Sequence, residues 1–213
     1  MGRYPSTSQE VRATVAQILL LHSVYGLRPA VHAAADRLRA AGHQVTVPDL
    51  YDGKAFDSID EATAHQEAIG TDELLRRAVG AAAPLLTPVP SAPGKGLVYA
   101  GFSLGGALAQ NLALADENAL ALLLLHGTSD LREDAATGIP VQLHVAEPDP
   151  FETEDWLNAW YLRMRRAGAD VEVHRYHGAG HLYTDPDLPD YDEEAAERTW
   201  ATALAFLDDL DAG

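Results

Sequence analysis

Six residues, Gly101-Phe102-Ser103-Leu104-Gly105-Gly106, restrict this chain more than any others. They follow an apolar run, Gly96 to Ala100, and precede a stretch of helical character, Ala107 to Leu112. The order is strand, G-x-S-x-G, helix. A backbone that passes so abruptly from strand to helix leaves almost no room for the flanking side chains, and glycine fills those places. The serine is pushed out above the sheet, where a base can reach its hydroxyl. A simple helix cap is the other use of a serine at this point.

Apolar runs and helical patterns alternate along the whole chain. Gln17 to His22 reads as a buried strand, Pro29 to Ala41 as a helix ended by Gly42, and Gln44 to Val47 as a strand stopped by Pro48. Residues 58–83 read as mostly helical, and Pro84 to Pro93 as a proline-rich surface loop. Strand 96–102 leads through the serine turn into a helix reaching about Leu114. Strands 119–126, 140–146 and 171–176 follow, with helices over 153–167 and from about 192 to 210. The strands are continuously apolar rather than alternating. That predicts a mainly parallel sheet with helices on both faces, in one small α/β domain over residues 1–213 without a large lid. Function in such sheets lies in the loops at the carboxyl ends of the strands.

Charge and composition exclude several classes. The 213 residues carry a net charge of −17, which opposes binding to nucleic acid or anionic membrane. The acidic runs at 185–194 and 208–211 read as solvated surface and helix N-terminus. There is no cysteine, so disulfides, thiolate catalysis and Cys-ligated metals are out. No apolar stretch approaches the ~20 residues that span a bilayer. Residues 1–16 show no signal pattern, and the myristoylation match at Met1 to Ser6 is too short to count. A cytoplasmic location is expected.

A serine hydroxyl attacks only when an adjacent base takes its proton. Of nine histidines, His177 and His181 lie in the glycine-rich segment after the last strand. His181 is the stronger candidate, because the glycines before it free it to turn inward, whereas His177 still sits at the strand end. A carboxylate must hold the imidazole, in the chain order serine, acid, histidine. Asp149, at the apex of Glu147-Pro148-Asp149-Pro150, fits best, with Glu147 and Asp130 as alternatives. The oxyanion formed on attack needs preorganised donors, expected from the backbone amides of Leu104 and of Val24, in the loop after the first strand. Ser23, Tyr25 and Tyr183 are expected to line the substrate pocket. Trp156 and Trp160, four residues apart on one helix face, read as packing residues. No H-E-x-x-H occurs, and the His177–His181 spacing lies in a glycine-rich loop, so neither metal nor cofactor is expected.

The segments Leu21-His22-Ser23-Val24-Tyr25-Gly26-Leu27, Val47-Pro48-Asp49-Leu50-Tyr51, Gly101 to Gly106 and Gly178-Ala179-Gly180-His181 resemble the dienelactone hydrolase family of α/β-hydrolases. They appear in that family's order across nearly the whole chain. The resemblance implies an α/β-hydrolase fold with Ser103 as nucleophile, Asp149 as acid, His181 as base, and Leu104 and Val24 as oxyanion donors. It also implies that Asp49 shapes a turn.

The sequence departs from the family in three ways. Serine stands where the best-known members carry a cysteine nucleophile. Ser23 takes the place of a glutamate in the first loop. The arginines that grip a substrate carboxylate are missing, with Asp185 at one place and only Lys54 as a cation within 43–75. The expectation is therefore a serine esterase acting on small, neutral esters or lactones, as a monomer or a homodimer. A thioesterase, or a binding protein without activity, is the alternative.

Overall fold

The two faces of the sheet are built from alternate residues of the same strands. Ile18 and Leu20 face one way and Leu19 and Leu21 the other, all of them buried. This explains the unbroken apolar runs of the inner strands, whose two faces are both covered. The computed structural model describes residues 16–86 and 96–210. Most of the loop expected over 84–93 and the myristoylation match at residues 1–6 lie outside the described residues.

The described chain forms strand β1 (Gln17–Leu21), helix α1 (Pro29–Ala40), β2 (Gln44–Thr46), α2 (Ile59–Ile69) and α3 (Thr71–Ala82). Then come β3 (Leu97–Phe102), α4 (Leu104–Ala115), β4 (Ala119–Leu125), β5 (Pro140–Glu147), α5 (Glu154–Arg166), β6 (Asp170–His177) and α6 (Glu193–Asp209). The six strands make one parallel sheet in the order β2-β1-β3-β4-β5-β6. Val31, Ala35 and Leu38 of α1 and Trp200, Ala203 and Leu207 of α6 cover one face. Leu74 and Ala78 of α3, Leu108 and Leu112 of α4, and Leu157, Trp160 and Met164 of α5 cover the other. The fold is the small, single-domain α/β-hydrolase architecture. No described helix is long and apolar enough to cross a membrane.

Several local features follow from single residues. The helical stretch at 58–83 is two helices, broken where Gly70 adopts φ 85°. The acidic run near 192 starts α6: Asp192 accepts from the Ala195 amide at 3.0 Å, and Glu193 and Glu194 fill the first turn. Trp160 is core, and its indole N–H donates to Gln110 at 2.9 Å. Strand order changes direction between β1 and β3, so the loops after these two strands flank the crevice at that switch point.

The sheet also buries a polar pair. His144 on β5 is fully buried and bonds Tyr176 Oη at 2.9 Å and Gln142 Oε1 at 2.8 Å. Burial, aided by the neighbouring His174, pushes its imidazole down to about 3. The folded chain thus holds His144 neutral, while the unfolded chain binds a proton below about 6.5. Stability must fall as pH drops through that window, by roughly 1.4 kcal/mol per pH unit at most. Acidifying from about pH 7 to about pH 5 is expected to cost about 2 kcal/mol from His144 alone. Urea unfolding across this range checks it: His144→Asn should show a shallower pH slope, and an unchanged slope would contradict the assignment.

Candidate active site

Ser103 joins β3 directly to α4 with φ 49° and ψ −111°, a strained conformation for a residue with a side chain. Its amide donates to Leu125 O at 2.8 Å, extending the β3–β4 ladder, and its carbonyl accepts from Ala107 N at 3.0 Å, starting the helix. Glycines make this crossing possible. A Cβ on Gly101 would overlap the backbone of Gly105 and Gly106. On Gly105 it would overlap Leu21 and His22 at the end of β1, and on Gly106 it would lie 2.7 Å from Gly127 O. On Gly127 it would lie 2.6 Å from Ser103 Cα. Sequence reasoning missed Gly127; its place directly after a strand end was the available signal.

His181 hangs from the loop after β6, and its Nε2 lies 2.8 Å from Ser103 Oγ. Its Nδ1 lies 2.7 Å from Asp149 Oδ2. The carboxylate must accept, so Nδ1 carries the proton and Nε2 is left to accept from the serine hydroxyl. Asp149 sits in the loop after β5, where its other oxygen accepts from the amides of Phe151 at 2.8 Å and Glu152 at 3.1 Å. Burial alone would raise this carboxyl. The His181 contact and the two amides outweigh it and hold Asp149 below the usual carboxylate range. The alternatives stand elsewhere. His177 is exposed and pairs with Glu147 at 2.7 Å, Glu147 also pairs with Arg175 at 3.2 Å, and Asp130 pairs with Arg163.

Val24 lies in a tight turn closed by Gly26 N donating to Ser23 O at 3.1 Å. Gly105 packs on the end of β1, so this turn stands beside the start of α4. Among the described residues, neither the Val24 nor the Leu104 amide donates a hydrogen bond within the chain. Asp49 shapes the neighbouring loop by accepting from the Tyr51 and Gly53 amides.

The pocket residues fare unevenly. Tyr25 is half-buried at the turn, 5.7 Å from the Arg28 guanidinium. Ser23 is buried, and its Oγ accepts from Tyr25 N at 3.3 Å. Tyr183 does not line an open pocket. It is fully buried, bonds Thr199 at 2.7 Å, and packs edge-on against His126. Its ring points into the protein because Tyr183 follows the inward turn at His181 and meets α6.

Asp185, which read with its acidic run as solvated surface, is instead buried against Arg28 at 3.0 Å. Arg28 also donates to Phe56 O and Asp57 at 2.7 Å each, so one guanidinium ties together the loops after β1, β2 and β6. Two further groups support the site. His126 bonds Thr184 at 2.7 Å, bracing the segment that carries His181. Burial, with smaller contributions from His181 and His144, drives His126 well below its ordinary value and keeps it neutral. Glu152 accepts from Thr128 N at 2.8 Å and Oγ1 at 2.6 Å; burial, helped by Asp149, raises its carboxyl. Phe151, 63% exposed, places its ring 4.6 Å from that of His181. An apolar residue in an otherwise polar turn was its only signal in the sequence.

A model of the dienelactone hydrolase family matches residues 3–210. The chain belongs to the dienelactone hydrolase family. Family and fold together indicate a hydrolase. A dienelactone hydrolase-like promiscuous phosphotriesterase from metagenomic libraries is 25% identical, with a TM-score of 0.76 over 92% of this chain and 86% of that one. A Bradyrhizobium sp protein described as a probable 2-oxo-3-(5-oxofuran-2-ylidene)propanoate lactonase is 23% identical over 92% of this chain and 85% of its own length. Protein usf of Aquifex pyrophilus is 24% identical over 89% of this chain and 86% of its own length. Within this family frame, the glycines around Ser103 yield a direct test. Gly105→Ala is expected to destabilise the protein by about 3 kcal/mol or more, because the colliding atoms are backbone and cannot move aside. Chemical denaturation measures this, and a loss below about 1 kcal/mol would contradict the packing described.

Proposed function

We propose that this dienelactone hydrolase family member is a serine hydrolase that cleaves small, neutral carboxylic esters or lactones through an acyl-enzyme on Ser103. The observation that carries the reading is the unbroken hydrogen-bond chain from Ser103 through His181 to Asp149, at 2.8 and 2.7 Å. His181 Nε2 takes the proton of Ser103 Oγ as that oxygen attacks the carbonyl carbon. Asp149 holds the imidazole tautomer and stabilises the imidazolium that forms. The Leu104 and Val24 amides receive the oxyanion, a contribution of roughly 3 kcal/mol for each donor. His181 then returns the proton to the leaving alkoxide, and the C–O bond breaks. In the second half His181 deprotonates water, which attacks the acyl carbon and releases the acid and Ser103. The buried Glu152, with its raised carboxyl, is already occupied by Thr128 and takes no step.

Preference for neutral substrates is supported by the fate of Arg28. Arg28 is buried, its Nε and Nη1 donors are taken by Asp185, Asp57 and the Phe56 carbonyl, and two carboxylates already offset its charge, which leaves it poorly suited to grip a substrate carboxylate. The overall charge of −17 works in the same direction.

Ser103→Ala is expected to lower kcat for p-nitrophenyl acetate by about 10³-fold or more while leaving the unfolding midpoint in place. Retained turnover would contradict the assignment. Matched pairs of neutral and carboxylate-bearing esters should show higher kcat/KM for the neutral member, and the reverse order would overturn the substrate class. A matched thioester in the same series decides between esterase and thioesterase.

A further inference from the structure

The turn that carries Val24 is governed by a side chain to which the mechanism gives no part. His22 is buried, with 1% exposure, at the end of β1. Its Nδ1 lies 2.7 Å from the Ser23 carbonyl oxygen, and its Nε2 lies 3.1 Å from the Leu50 amide nitrogen. A carbonyl only accepts and an amide N–H only donates. Both partners therefore demand one tautomer: Nδ1–H donating to Ser23, and Nε2 accepting from Leu50. The ring must be neutral to do both. Burial supplies this by lowering its proton affinity, against smaller opposing effects of the Ser23 carbonyl and Asp49.

The Ser23 carbonyl belongs to the same peptide unit as the Val24 N–H. That carbonyl already accepts from Gly26 N at 3.1 Å, so His22 and Gly26 together occupy its two lone pairs. A trans peptide is planar, with its C=O and N–H pointing in opposite directions. Fixing the carbonyl from two sides therefore fixes the direction of the Val24 N–H. Donation to the carbonyl also polarises the amide and strengthens the N–H as a donor. We propose that His22 is a positioning residue that presets the Val24 amide for the oxyanion. It touches no substrate and acts only through the Ser23–Val24 peptide. The bond from Leu50 holds the ring in the tautomer required and couples the turn to the loop after β2. The inference rests on the reading of Ser103 and Val24 given above.

Two substitutions separate the two ring nitrogens. In His22→Asn the amide nitrogen falls near the place of Nδ1 and still donates to Ser23. In His22→Gln the side-chain oxygen reaches toward the place of Nε2 and still accepts from Leu50, but nothing donates to Ser23. His22→Asn is expected to keep kcat for p-nitrophenyl acetate within about fivefold of wild type. His22→Gln is expected to lose on the order of 10- to 100-fold in kcat at little-changed KM, a part of the 10²–10³ lost with a whole oxyanion donor. A trifluoromethyl ketone, which forms a tetrahedral oxyanion, should lose affinity for His22→Gln by the same factor, while a ground-state competitor such as the product acid should not.

Equal losses in the two variants, or a larger loss in His22→Asn, would overturn the inference. Either variant decides alone if the other fails to fold by circular dichroism. A large kcat loss in folded His22→Asn overturns it, as does undiminished ketone affinity in folded His22→Gln. Ser103→Ala separates the two levels. Turnover retained in that variant means that the underlying reading has failed. An inactive Ser103→Ala with indistinguishable His22 variants means that only the role of His22 has failed.

Discussion

Everything at this site depends on one steric constraint. Ser103 must cross from β3 to α4 at φ 49°, and the backbone around it is packed so closely that Gly101, Gly105, Gly106 and Gly127 admit no Cβ. Such a conformation costs on the order of 1–3 kcal/mol, and only an over-determined surround can hold it. The surround here is the sheet itself. β1 lies under Gly105, β4 takes the Ser103 amide, and the apolar layers on both faces fix the strands. The strain exposes the hydroxyl at the carboxyl edge of the sheet, where three other strand-end loops converge.

Those loops bury apolar residues such as Tyr51, Leu182 and Tyr183, and polar groups tie them to one another. Arg28 ties the loops after β1 and β2 to the segment carrying Asp185, and His126 braces that segment through Thr184. Asp149 uses one oxygen to organise its own turn and leaves the other for His181. Glu152 does the same service for the turn at Thr128. Each group is buried and makes at least one of these bonds, so each rigidifies the loop it serves, and losing that partner would leave a costly unpaired group behind. The site thus combines a strained centre with a stiff polar frame. Preorganised donors require such a frame, because they must not reorganise when charge develops.

Much of the fold was legible because both sheet faces are apolar. Buried parallel strands read as unbroken runs, and Gly42 and Pro48 mark local stops, whereas the break at Gly70 lay inside what read as one helical stretch. Ser103, Asp149 and His181 could be picked out from a turn motif and from chain order, and the fold places them within hydrogen-bond reach of one another. What escaped were contacts set by distant parts of the chain. Arg28 and Asp185 stand 157 residues apart, so their pairing left no local trace and Asp185 read as an open charge. Tyr183 read as a pocket residue because it shares a loop with His181, yet the turn at His181 sends its ring toward Thr199. Phe151 and His126 carry no motif. Their importance comes only from what the fold sets beside them.

The proposed mechanism turns on covalent acylation of Ser103. Its most direct test is to treat the folded protein with an alkyl fluorophosphonate and locate the adduct by peptide mass spectrometry. Stoichiometric modification is expected at Ser103 alone, with labelling lost in Ser103→Ala and strongly slowed in His181→Ala. An unmodified Ser103, or an adduct on another residue, would contradict it.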